Sequence, residues 1–171
     1  AISTGALAAF TSDQIAALRP TQVSNLTTDQ IRAITTSQLP ALGTDDFNVL
    51  TSRQVSVLTD EIIEDLSVPQ IQAISSGAIK GLTSDQIRKV STEQLSSLST
   101  AQIRGFEYTQ IPAFSSDQIS NLTTTEIGAF STRQMQAFTT AQVAAFTAWQ
   151  VPAIPVENIA NMSTTQTVAF S

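Results

Sequence analysis

The sequence predicts an all-α solenoid of very short capped helices, one for every eight residues. Three observations carry that expectation: a large apolar residue recurs at every eighth position, a hydroxyl follows it, and a glutamine stands three residues beyond the hydroxyl. With Ile2 as position 1, the apolar residue returns at Phe10, Leu18, Leu26, Ile34 and onward to Met162 and Phe170. There is no insertion or deletion. The period therefore defines a single repeat domain over residues 1–171, with 21 octapeptide units from Ile2 to Ala169.

The hydroxyl and the glutamine encode a helix start. Position 2 is Ser or Thr in 17 of the 21 units and position 5 is Gln in 15, so the unit spells a Ser/Thr-x-x-Gln capping box. In such a box each side chain satisfies a backbone donor at the other end of the first turn. Thr27 and Gln30, inside the near-consensus stretch LTTDQIRA, are one example.

The apolar pair agrees with the same register. Position 6 is apolar in 20 of 21 units, which puts residues such as Leu26 and Ile31 at the two places a hydrophobic staple requires. Position 4 is acidic at Asp13, Asp29, Asp45, Glu61, Asp85, Glu93, Asp117 and Glu157, where a carboxylate meets the positive end of a helix. Position 8 is Ala in 11 units, a size that permits close approach at the turn. Asp65 and Lys89 depart from it and are expected to be exposed.

Helix length is limited to about five or six residues, because the next capping hydroxyl arrives after eight. The prolines fit this limit. Pro20 falls at the first helical position and Pro69 at the second, where a missing N–H is tolerated. Pro40, Pro112 and Pro152 all occupy position 7, near the end, where only a terminal hydrogen bond is lost, and some units are expected to be a single turn or 3-10 in character.

Two rival folds compete. One continuous helix would carry apolar residues at spacings of five and three, which drift around the axis instead of forming a stripe. A β-solenoid is the alternative that Thr and Ile favour, although tight β coils need Gly, Asn or Asp at their corners and the chain has 6 Gly.

No octad can be stable alone. Two large side chains cannot offset the ordering of eight backbone residues at about 1–2 kcal/mol each, so neighbours must bury one another's apolar pairs. The number of octads per coil is not set by the pattern. Acid at position 4 of Asp13, Asp29, Asp45 and Glu61 alternates with Thr21, Ser37 and Arg53, a 16-residue rhythm that suggests two helices per coil.

Composition restricts function. The chain has neither Cys nor His, which leaves nucleophilic catalysis without a base and zinc without its usual ligands. No catalytic, cofactor-binding or metal residue is assigned, and the chain is expected not to be an enzyme. The densest carboxylates, Asp60, Glu61, Glu64 and Asp65, lack a calcium-loop pattern and are expected to form a solvated face. A net charge of −6 repels a phosphate backbone, so nucleic acid is not an expected partner. No apolar run reaches membrane-spanning length.

Texture changes along the chain. From Phe106 onward Phe dominates position 1, and no charge occurs between Arg133 and Glu157. Tyr108 and Trp149 stand at otherwise polar positions and are expected to face outward. Tyr108, Trp149, Phe138, Phe146 and Phe170 are therefore the candidate assembly residues, with self-association, end to end or lateral, as the expected partnership. A regular ladder of Thr hydroxyls also invites ice binding, but the capping role competes for the same hydroxyls.

At the level of the octad, Leu26-Thr27-Thr28-Asp29-Gln30-Ile31 and its copies resemble the LTTxQIxAL-type tandem repeats of large bacterial secreted and cell-surface proteins. The resemblance runs from Ile2 to Phe170. It implies an extracellular or cell-surface location and a structural or adhesive role: a scaffold, filament or surface-layer component, or alternatively an adhesin stalk that recognises a protein or glycan through its Phe-rich C-terminal third. Single units are also similar to the start of a transcription-activator-like effector repeat. That family's base-reading loop is missing here, so its DNA binding does not carry over.

Overall fold

The computed structural model describes residues 3–170, and each octad forms one helix. Eighteen α-helices of four to six residues and three 3-10 helices follow one another from Thr4–Ala8 to Thr164–Val168, with no strand among the described residues. The fold is an all-α repeat solenoid, which excludes the β-solenoid and the single continuous helix.

The capping boxes form as the octad spells them. At the helix Thr28–Arg32, Thr27 is extended (φ −69°, ψ 162°) and its Oγ1 accepts from the Gln30 N–H at 3.3 Å, while Gln30 Oε1 accepts from the Thr27 N–H at 2.7 Å. Helices end because the following position-1 residue leaves helical geometry: after Val68–Ala73, Ile74 lies at φ −61°, ψ 121°, and Ser75 is extended as the next cap. Two extended residues thus turn the chain. No described residue has positive φ, which is why the turns do not call for glycine.

All three 3-10 helices, Leu39–Ala41, Tyr108–Ala113 and Val151–Ala153, contain the position-7 prolines Pro40, Pro112 and Pro152. A proline there has no N–H to give to the carbonyl four residues back and its ring crowds that carbonyl, so the turn tightens to i→i+3 bonding. Pro20 opens the helix Pro20–Ser24, and Pro69 is second in Val68–Ala73.

Coils stack by a single rule. The helix Ser76–Ile79 packs against Ser52–Val55 on one side and Thr100–Gly105 on the other, each 24 residues or three octads away, and other packed helix pairs follow the same offset. The two-helix coil suggested by the position-4 alternation is therefore incorrect. Asp13, Asp29, Asp45 and Glu61 are exposed at helix starts and take no part in the packing that sets the coil. Positions 1 and 6 do set it: they form one continuous core that runs from Leu7 to Met162.

At two position-8 glycines neighbouring coils come into close contact. A Cβ on Gly81 would run into the Ser52 backbone, and one on Gly105 into the Ser76 carbonyl, each residue lying 29 positions earlier. Asp65 and Lys89, the two charged residues at this position, are exposed.

Candidate functional site

The most regular chemical feature of the molecule is a ladder of buried glutamines between coils. From Gln38 onward, each position-5 Gln uses its two amide atoms differently. Oε1 closes the capping box of its own helix, and Nε2 reaches back across the stack to main-chain carbonyls 28 and 31 residues earlier. Gln54 donates to the carbonyls of Leu26 (2.9 Å) and Val23 (3.2 Å), Gln102 to Ile74 (2.8 Å) and Ile71 (3.0 Å), and Gln134 to Phe106 and Ile103 (both 2.8 Å). The same pattern holds from Gln38 to Gln166, with Gln110 making only the 28-residue bond.

The acceptors are the position-6 carbonyl in the last turn of one helix and the carbonyl of the position-1 residue in the link that follows it. Helix ends leave such carbonyls without partners inside the helix, so the glutamine satisfies a terminus of the preceding coil while capping its own. Sequence reasoning assigned only the capping half. The signal for the other half is the near-exclusion of glutamate: a capping box accepts Glu as readily as Gln, yet position 5 holds one Glu against 15 Gln. Only an amide has the second, donating atom.

The departures from Gln support this account. Asn158 follows Pro155, which has no N–H for a position-5 carbonyl to receive. Its Nδ2 still donates to the Phe130 carbonyl 28 residues earlier at 2.8 Å, and its Oδ1 pairs with the Thr132 hydroxyl at 2.7 Å. Ile62 and Ala78 drop the bond altogether. Asp46 and Glu126 keep the cap acceptor but carry a carboxyl where the amide donor belongs, and Asp46 Oδ1 and Glu126 Oε1 are buried without a hydrogen-bond partner. Burial pushes both carboxyls above the ordinary carboxylate range; for Asp46 the neighbouring Asp45 adds to the rise.

The aromatic candidates separate into core and surface. Phe138 is buried and packs edge-on against Phe130 (ring centroids 5.1 Å) and tilted against Phe146 (5.4 Å). Phe146 is buried as well, and the half-buried Phe170 stacks on it at 6.1 Å. Phe138 and Phe146 are thus core residues and offer no free surface to a partner. Tyr108 is 38% exposed with the Arg133 guanidinium 3.9 Å over its ring, and the two line a shallow groove with Thr109, Pro112, Gln136 and Ala137. Trp149 is 85% exposed and is not among the residues that line this groove.

Apart from Asp46 and Glu126, the charged side chains are dispersed along the outside. Arg88 pairs with Asp85 at 2.6 Å, Lys89 with Glu64 at 3.4 Å, and Arg104 Nε donates to the Ala129 carbonyl at 3.3 Å. Hydrogen bonds from its own N–H and from the Thr59 hydroxyl hold Glu61 below the usual range. Among the described residues, no group of three or more acidic side chains is placed to hold a metal ion. No helix among them is long and apolar enough to cross a membrane.

Comparison with curated proteins finds no match. A family of tandem repeats does match, over residues 1–28, 25–60, 89–124 and 116–148, which together cover more than half of the chain. The matched segments lie in both halves and include the capped helix Thr28–Arg32 and the ladder glutamines Gln38, Gln54, Gln102, Gln110 and Gln134. This chain belongs to the ALTTAQ repeat family.

Proposed function

We propose that the chain is a structural scaffold, located outside the cell or on its surface, which extends its reach by associating with further copies of itself. The observation that carries this reading is the ladder. One stacking rule, an amide reaching 28 and 31 residues back, repeats from Gln38 to Gln166 and contains nothing that would close the array on itself. Stability in such an array comes from neighbours only, so length can grow without a new core. The accessible surface of 8300 Å² is close to the roughly 8,100 Å² of a compact chain of this mass, so these residues form a short stub. Further repeats stacked by the same rule would lengthen it without a new core.

The location rests on the resemblance of the octad to secreted and surface repeats, and on a fold that uses no thiol and so tolerates an oxidising exterior. Catalysis is not part of the proposal: many Ser and Thr hydroxyls are engaged as helix caps, and the sequence supplies no imidazole to activate the others. Negative-stain electron microscopy across a concentration series tests the self-association. Filaments or stacked rods are expected at high concentration; single stubs at every concentration would refute it.

A second reading is favoured by Trp149. A side chain of this size at 85% exposure suits a lateral contact with a protein or glycan, which makes the array a stalk that presents a binding face. Monodisperse stubs whose tryptophan fluorescence changes on a glycan or protein surface would select this reading over the first.

A further inference from the structure

Glu126 is the one position-5 residue that keeps glutamine's length and loses its donor. It is 2% exposed. Its Oε2 accepts from the Thr123 N–H at 2.7 Å and from the Thr123 hydroxyl at 2.8 Å, so that oxygen performs the cap role of a ladder glutamine. Its Oε1 is buried with no partner. Counting back 28 and 31 residues, as the ladder does on either side of it at Gln118 and Gln134, leads to the carbonyls of Leu98 and Leu95.

An ionised carboxylate in that place would turn a lone pair toward carbonyl oxygens, acceptor against acceptor, with no water to screen it. A neutral carboxyl has one O–H, and with Oε2 committed to two donors the proton belongs on Oε1. We propose that Glu126 enters the ladder as a neutral acid whose Oε1–H donates to the Leu98 or Leu95 carbonyl, so that this junction between coils is tight in acid and loosens when the carboxyl ionises.

No nearby charge supplies another cause. The helix Thr124–Ala129 packs against Thr100–Gly105 and Val151–Ala153. The first carries Arg104, whose guanidinium donates to the Ala129 carbonyl, and the second has no titratable group. Glu93, on the helix that leads into the 95–98 turn, is exposed at that helix's start. The upward shift at Glu126 comes from burial, opposed only by the two Thr123 hydrogen bonds.

The sign follows. A carboxyl raised on folding stabilises fully below the unfolded value near 4.5, and that contribution is lost as pH rises through the folded value. Thermal unfolding of the chain and of Glu126→Gln from pH 4 to pH 8 tests this, with Glu126→Ala as the variant that lacks both the cap acceptor and the donor. Glu126→Gln is expected to melt together with the parent near pH 4 and roughly 2–4 °C above it at pH 8, while Glu126→Ala melts below Glu126→Gln throughout. A gap that does not change with pH, or no gap at all, would overturn the proposal. So would a Glu126 carboxyl carbon resonance that titrates in the ordinary carboxylate range.

Discussion

Gln94 and Leu66 are joined across the stack: Gln94 Nε2 donates to the Leu66 carbonyl at 2.6 Å, although 28 residues separate them, while Gln94 Oε1 accepts from the Ser91 N–H at 2.7 Å. One side chain therefore ends one helix and begins another. Both ends of the link are buried, so neither amide atom has water as a substitute partner. Coil stacking and helix capping are in this way a single interaction, and damage to one is damage to the other.

That coupling sets the cost of removing a ladder member. Gln94→Ala is expected to lower unfolding free energy by about 2–4 kcal/mol, from a lost cap and buried carbonyls left without their donor. Gln14, which is exposed and makes only the cap bond to Thr11, is the matched control, and Gln14→Ala should lose about 1 kcal/mol or less. Urea denaturation of the two variants measures both. Equal losses would mean that the inter-coil bond contributes nothing.

Two glycines make opposite predictions. At Gly81 a methyl group would strike the Ser52 backbone of the neighbouring coil, so Gly81→Ala is expected to destabilise by about 1–3 kcal/mol. Gly77 lies inside the helix Ser76–Ile79 with open space around its Cα, and Gly77→Ala should stabilise by about 0.5–1 kcal/mol. Melting temperatures that move in the same direction would contradict the packing described at position 8.

Asp46 repeats the carboxyl problem with a shorter side chain. Its Oδ2 accepts from the Gly43 N–H at 2.9 Å, its Oδ1 is buried and unpartnered, and burial together with Asp45 raises its pKa. A raised folded value again means that stability is greatest below the ordinary value and declines as pH rises through the folded one. Asp46→Asn is expected to gain about 1 kcal/mol at pH 7 and nothing near pH 3. The comparison requires only denaturation curves at the two pH values.

Trp149→Ser is expected to leave stability within about 0.5 kcal/mol, because the indole is mostly in water. If the exposed ring anchors a lateral contact, the same substitution abolishes self-association or ligand capture. Sedimentation velocity reads the first and binding to an immobilised partner the second. Unchanged behaviour in both would remove Trp149 from the contact surface.

Much of the fold was legible because its determinants are local. Thr27 and Gln30 lie in one helical turn, so their box can be read from four consecutive residues, and Pro40, Pro112 and Pro152 each specify a tightened turn by chemistry that needs no neighbour. The outward placement of Tyr108 and Trp149 was legible for the same reason, since position in the octad dictates face. The candidate surface was less legible. Phe138 and Phe146 look like a sticky stripe in sequence, yet position 1 points inward and the neighbouring rings pack against one another in the core.

By itself, the octad determined where each helix starts, how soon it stops and which two side chains turn inward. Only the tertiary structure decided that coils meet three octads apart and that Gln54 reaches Leu26 as well as Thr51. The reason is physical: a cap is satisfied by atoms a few residues away along the chain, whereas the free amide hydrogens of that glutamine find their acceptor only after a whole coil has been laid down beneath them.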